Sequence, residues 1–116
     1  MATAVHRDLA HPATAELVLT DVLFALSDPM RLAIVRQLAQ GPLVELPCQD
    51  VGGPAPKSTR SHHLKTLREA GVIRNVPHGR ERRVSLRRED LDSRFPGLLD
   101  AVLGQPGQLP LPSASQ

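Results

Sequence analysis

The chain contains no tryptophan and no tyrosine, and its phenylalanines are Phe24 and Phe95 alone. Its core must therefore be built from Leu, Val, Ile and Ala, as in many helical domains. Cysteine occurs once, at Cys48, which excludes an intrachain disulfide and makes a reduced, cytoplasmic setting the expectation. No apolar run approaches the roughly 18 residues of a membrane-spanning helix, so no membrane partner is expected. Residues 1–11 lack the apolar stretch of a secretion signal. Histidine and cysteine are both absent after His78, and no internal repeat is present.

What remains is 116 residues with an apolar fraction of 41%, enough for one small domain. A domain of this size buries a modest share of its surface, so association with a second copy would help it. The net charge is only +2, but it is unevenly spread. Residues 57–88 carry Lys57, Arg60, Lys65, Arg68, Arg74, Arg80, Arg82, Arg83, Arg87 and Arg88 against Glu69 and Glu81 alone. Such a stretch is either a solvated surface or the footprint of a polyanion partner.

The pattern along the chain favours the polyanion. Residues 57–70 form an amphipathic helix with Leu64 and Leu67 inward and Gly71 as its cap. Ser58, Ser61, His62 and Lys65 stay on the polar side, where short hydrogen-bonding groups and a cation can reach base edges and phosphates. A basic hairpin follows, with strands at 72–76 and 82–86 joined by residues 77–80. Val84 and Leu86 alternate there with Arg83, Ser85 and Arg87. A recognition helix followed by a charged hairpin is the layout of a winged helix-turn-helix protein, mostly α with a small β-hairpin (α+β).

The flanks complete the expected organisation. Residues 1–12 read as a flexible N-terminal arm, 13–103 as the folded domain and 104–116 as a disordered Pro/Gly/Ser tail. A helix is expected over 13–26, with Val18, Val22 and Leu26 on one stripe and Leu19 and Leu23 beside it. Asp28 caps the next helix, Pro29 opens it, and Met30, Ile34, Val35 and Leu38 face inward. Residues 43–51 are weakly helical, and residues 52–56 form the turn before the recognition helix. In the closing segment, 90–103, Phe95, Leu98, Leu99, Val102 and Leu103 share one face. The first and last helices carry more apolar surface than one core needs. Val18, Val22, Phe95, Leu98, Leu99 and Val102 are therefore the expected dimer interface.

Three stretches together resemble the ArsR/SmtB family of bacterial transcriptional repressors. Residues 25–38 (ALSDPMRLAIVRQL) are similar to its opening motif, 57–71 (KSTRSHHLKTLREAG) to its recognition helix, and 80–86 sit where its wing lies. The resemblance implies a homodimer that binds an imperfect palindrome in an operator and releases it on sensing a signal. It places DNA contacts at Lys57, Ser58, Ser61 and His62, with wing arginines on the backbone. Thr59, Arg60, Lys65, Arg80, Arg82 and Arg83 complete the candidate DNA-binding set. Where the family carries an apolar residue in the recognition helix, this chain has Arg60, which can snorkel outward.

The family's metal box, ELCVCDL, reads ELPCQDV at residues 45–51 here. Pro47 and Gln49 replace both thiolate positions, and Cys48 falls between them, so no metal or other cofactor is expected. His62 and His63 project about 100° apart on a helix and do not converge on one ion. His6 and His11 lie in the arm without a thiolate and make a weak site. Nothing in the chain completes a catalytic dyad with Cys48, so no enzyme is expected. Cys48 remains open as a small buried hydrophobe or as a thiol sensor. A winged-helix module turned to protein binding is the alternative function, but it would carry apolar residues where 57–65 are polar. The inducer is not written in the sequence.

Overall fold

The computed structural model describes residues 10–45 and 56–104. Residues 1–9 of the expected arm, the tail from 105 onward, Cys48 with the metal-box positions Pro47 and Gln49, and the turn at 52–55 lie outside the described residues. A 3-10 turn, Thr14–Glu16, precedes α1 (Leu19–Leu26) and α2 (Pro29–Leu38). Then come β1 (Leu43–Glu45), α3 (Lys57–Ala70), β2 (Ile73–His78), β3 (Glu81–Leu86), α4 (Arg88–Arg94) and α5 (Leu98–Leu103).

The α1–α2 corner follows from its sequence. Asp28 has extended backbone geometry, and its carboxylate accepts from the N–H groups of Met30 at 2.8 Å and Arg31 at 3.0 Å. Pro29 occupies the first helical position, where a missing N–H costs nothing. At the end of α3, Gly71 has φ +86°. Its N–H reaches Arg68 O at 3.0 Å, and the Val72 N–H reaches Leu67 O at 2.9 Å, a Schellman closure. Leu67 and Val72 are both fully buried beneath it.

Four secondary-structure elements differ from expectation. The helix placed over 13–26 starts only at Leu19, because Leu17 and Val18 are extended and Leu17 turns into the core instead. The segment read as weakly helical begins as a strand: β1 pairs antiparallel with β3, Leu43 opposite Val84, giving a three-stranded sheet in the order β1-β3-β2. The β2–β3 hairpin is longer than expected, taking in Pro77 and His78, with His78 opposite Glu81. The closing segment, where one helix starting at Pro96 is expected, carries two: α4 ends before Pro96, and α5 begins after Gly97 at φ +84°.

Residues 10–17 form a strap along the free edge of β2, the end of α3 and α4. Arg68 donates to Ala10 O, the Asn75 N–H to His11 Nε2 at 3.0 Å and Arg87 to Pro12 O at 2.8 Å. Arg94 donates to Leu17 O at 2.7 Å. The hub is Asp90, which accepts from the Thr14 hydroxyl at 2.7 Å, Arg87 Nε at 2.9 Å and Arg74 at 3.3 Å.

The Thr14 hydroxyl, then the Arg87 guanidinium, hold the Asp90 carboxyl below the usual carboxylate range against the opposing effect of burial. A depressed folded-state pKa contributes stability above the unfolded value near 3.9 and loses it as pH falls through the lower folded value. Asp90→Asn is therefore expected to cost about 2 kcal/mol at pH 7, less than a fully buried pair because Asp90 is a quarter exposed. Urea titrations at pH 7 and pH 3 check this: the gap between wild type and variant should shrink at pH 3. A gap independent of pH would refute the role given to Asp90.

The core collects Val22, Ala25 and Leu26 of α1, Ile34, Val35 and Leu38 of α2, and Leu64, Leu67 and Ala70 of α3. Val72, Ile73 and Val84 of the hairpin, with Leu91 and Leu99, close it. Met30, expected inward, is only partly buried, and Arg31 takes the buried place on that face of α2.

Candidate nucleic-acid interface

The fold holds α3 with one face on the core and the opposite face open. Ser58, Ser61, His62 and Lys65 follow the spacing i, i+3, i+4, i+7, which is one stripe of a helix, and all four are exposed. Thr59 is exposed beside them, and Arg60 is partly buried toward the body. Lys57 is the first residue of α3.

The wing supplies cations of two kinds. Arg80 and Arg83 are exposed, Arg80 next to the Gly79 turn and Arg83 opposite Val76 on β3. Arg82 points to the other face, where its Nε donates to Asn75 Oδ1 at 2.7 Å and its Nη2 to Asn75 O at 2.8 Å. Arg82, expected on phosphate, is thus engaged in bracing the hairpin.

The ten cations of residues 57–88 do not form one patch. Arg87 is buried on Asp90, Arg74 shares that carboxylate, Arg88 pairs with Asp100 at 3.4 Å, and Arg68 lies against Ala10 O and Glu69. The sequence counted charges. The structure divides them between internal bracing and an outward set containing Lys65, Arg80 and Arg83.

Behind the exposed stripe lies a polar cluster that sequence reasoning did not single out. Arg31, only 6% exposed, donates from Nε to Ala25 O at 2.8 Å and from Nη2 to Phe24 O at 3.3 Å, capping the end of α1. Its guanidinium also lies 5.2 Å from the Phe24 ring centroid. Its Nη1 is 3.3 Å from His63 Nδ1, and His63 Nε2 is 4.0 Å from Asp28 Oδ2. Burial pushes the Asp28 carboxyl up. The Arg31 N–H, the His63 ring, the Met30 N–H and the Arg31 charge outweigh it and leave the carboxyl below its ordinary range. The available signal was the spacing of Asp28 and Arg31, a helix cap followed one turn later by a cation.

The expected dimer residues separate in the same way. Val22 and Leu99 are fully buried within the protomer and present nothing to a second chain. Val18 is 50% exposed, and Phe95, Leu98 and Val102 are partly buried against the core. Leu19, Leu23 and Phe24, at 43%, 44% and 64% exposure, extend the open apolar surface of α1.

Among the described residues no group of three or more His, Cys, Asp or Glu side chains converges on a point that could hold a metal. No helix among them is long and apolar enough to cross a membrane.

Comparison with known proteins agrees with this arrangement. No family model matches the chain. It is 42% identical over 80 residues to YceK, an uncharacterized HTH-type transcriptional regulator of Bacillus subtilis (strain 168), covering 67% of this chain and 79% of that protein. Its fold is similar to the crystal structure of an ArsR family transcriptional regulator. The TM-score is 0.57 at 25% identity, covering 72% of this chain and 90% of that one.

Proposed function

The chain belongs to the ArsR family of helix-turn-helix transcriptional regulators, and from that premise we propose that it represses transcription as a homodimer on a palindromic operator. The carrying observation is the exposed Ser58, Ser61, His62 and Lys65 stripe of α3, flanked by exposed Arg80 and Arg83. Short donors, an imidazole and a cation on one helical edge suit a major groove. Wing arginines suit the adjacent phosphates. Two such helices related by a dyad would address half-sites about 34–36 Å apart.

The open apolar surface of Val18, Leu19, Leu23 and Phe24 supports pairing of two protomers, since apolar patches of this kind mark association sites. The family's thiolate metal site does not fit this chain, because Pro47 and Gln49 offer no thiolate where the site needs two. Release from DNA therefore proceeds by a signal other than metal at that box. Cys48 is the one position at which it could be covalent thiol chemistry.

Binding to duplex DNA tests the assignment of roles. A duplex selected by the wild type from a random pool serves as cognate, with a scrambled duplex as control. His62→Ala is expected to weaken cognate binding more than scrambled binding. Arg83→Ala should weaken both alike and reduce the salt slope by about one. An unchanged cognate-to-scrambled ratio in His62→Ala would remove His62 from the reading edge.

A further inference from the structure

The buried apolar residues of α3 are Leu64, Leu67 and Ala70, all in its second half. The first half carries Ser58, Ser61 and His62 of the exposed stripe, and in helix-turn-helix proteins the first residues of the recognition helix meet the bases. Apolar contact is non-directional and leaves a helix free to roll or slide by small amounts. Hydrogen bonds fix direction. His63 stands one residue before the apolar anchor and next to His62 on the exposed edge, with its ring centroid 5.9 Å from that of His62.

We infer that His63 and Arg31 are positioning residues for DNA reading: their contact sets the rotation of α3 and hence the direction in which His62 and Ser61 face. This inference deepens the proposed function and rests on it. Arginine has donors only, so in this contact His63 Nδ1 is the acceptor and Arg31 Nη1 the donor, at 3.3 Å, while His63 Nε2 faces Asp28 Oδ2 at 4.0 Å. Arg31 is itself immobilised by the Ala25 and Phe24 carbonyls, and Asp28 by the α2 N-terminus. The ring is therefore keyed to Arg31 at the α1–α2 corner, with the Asp28 carboxylate on its other side at 4.0 Å. An imidazole hydrogen-bonded to an immobilised guanidinium resists the roll that would swing its neighbour away from a base edge.

The chemistry separates positioning from packing. Asparagine places a carbonyl oxygen near the site of Nδ1 and keeps the acceptor, whereas leucine keeps apolar bulk and removes it. His63→Leu is expected to lower the cognate-to-scrambled ratio about tenfold, the scale of one hydrogen bond to a charged group. Its thermal midpoint should stay close to that of His63→Asn. The Asn variant should recover most of the ratio. Amide hydrogen exchange on free protein gives a second readout: residues 58–63 should exchange faster in His63→Leu than in wild type or His63→Asn, with residues 64–70 unchanged.

If the wild type binds neither duplex, the proposed function fails, and the exchange pattern alone then decides the anchoring. Equal exchange at 58–63 in all three proteins would overturn it. So would equal loss of discrimination in the Asn and Leu variants.

Discussion

Gly71→Ala is expected to destabilise the domain by about 3 kcal/mol, although it adds a single methyl group. Gly71 sits at φ +86°, where an L-side chain costs roughly 1–2 kcal/mol. The new Cβ would overlap Leu17 Cδ2 and lie 3.3 Å from Pro12 Cγ. Leu17 is 1% exposed and cannot swing into solvent without leaving the core, so overpacking adds a further cost of about 1–3 kcal/mol. By contrast, Gly79 also has positive φ, at +70°, but nothing lies within 4 Å of a Cβ there, so Gly79→Ala should cost only the backbone part. Chemical denaturation of both variants checks the pair. A Gly71→Ala variant no less stable than Gly79→Ala would show that the strap does not press on the helix end as described.

The second large effect separates core from interface. Leu99→Asp is expected to unfold the protomer. Leu99 is fully buried, so the change forfeits about 1.5–3 kcal/mol of apolar burial and adds an unpaired carboxylate at several kcal/mol more. The total is comparable to the whole stability of a small domain, roughly 5–10 kcal/mol. Leu23→Asp, at a side chain 44% exposed on α1, should leave the protomer folded and shift the mass toward monomer. Circular dichroism and light scattering at micromolar concentration read both. A folded Leu99→Asp would contradict its core placement, and a folded, undiminished Leu23→Asp dimer would take α1 out of the pairing surface.

The sequence made α3 legible because every level agreed there: period, polar edge, glycine cap and the Val72–Ile73 exit into a strand. The Asp28-Pro29 start of α2 was legible for the same reason. Elsewhere local pattern lost to tertiary pairing. Leu43 and Val44 carry too short a signal to announce a strand, and only β3 alongside makes them one. Leu17 falls inside the stretch expected as helix, but the core takes it as an extended residue. Arginines were legible as charge and not as direction. Arg31, Arg82 and Arg87 carry the same label in sequence as Arg83, yet they face carbonyls and carboxylates inside the protein. Nothing in a one-dimensional count distinguishes a brace from a contact.

The strap has a consequence for the order in which the molecule can be completed. Its partners lie 58 to 77 positions further along the chain, from Arg68 out to Arg94. A ribosome delivers residues 10–17 long before it delivers β2, Asp90 or Arg94. During synthesis this segment emerges with nothing to hold, while α1 and α2 can already meet at their corner. Contacts of such sequence separation carry a loop-closure cost before they stabilise anything. Vectorial folding would thus seat the first described residues last, onto the end of the recognition helix and the foot of the wing.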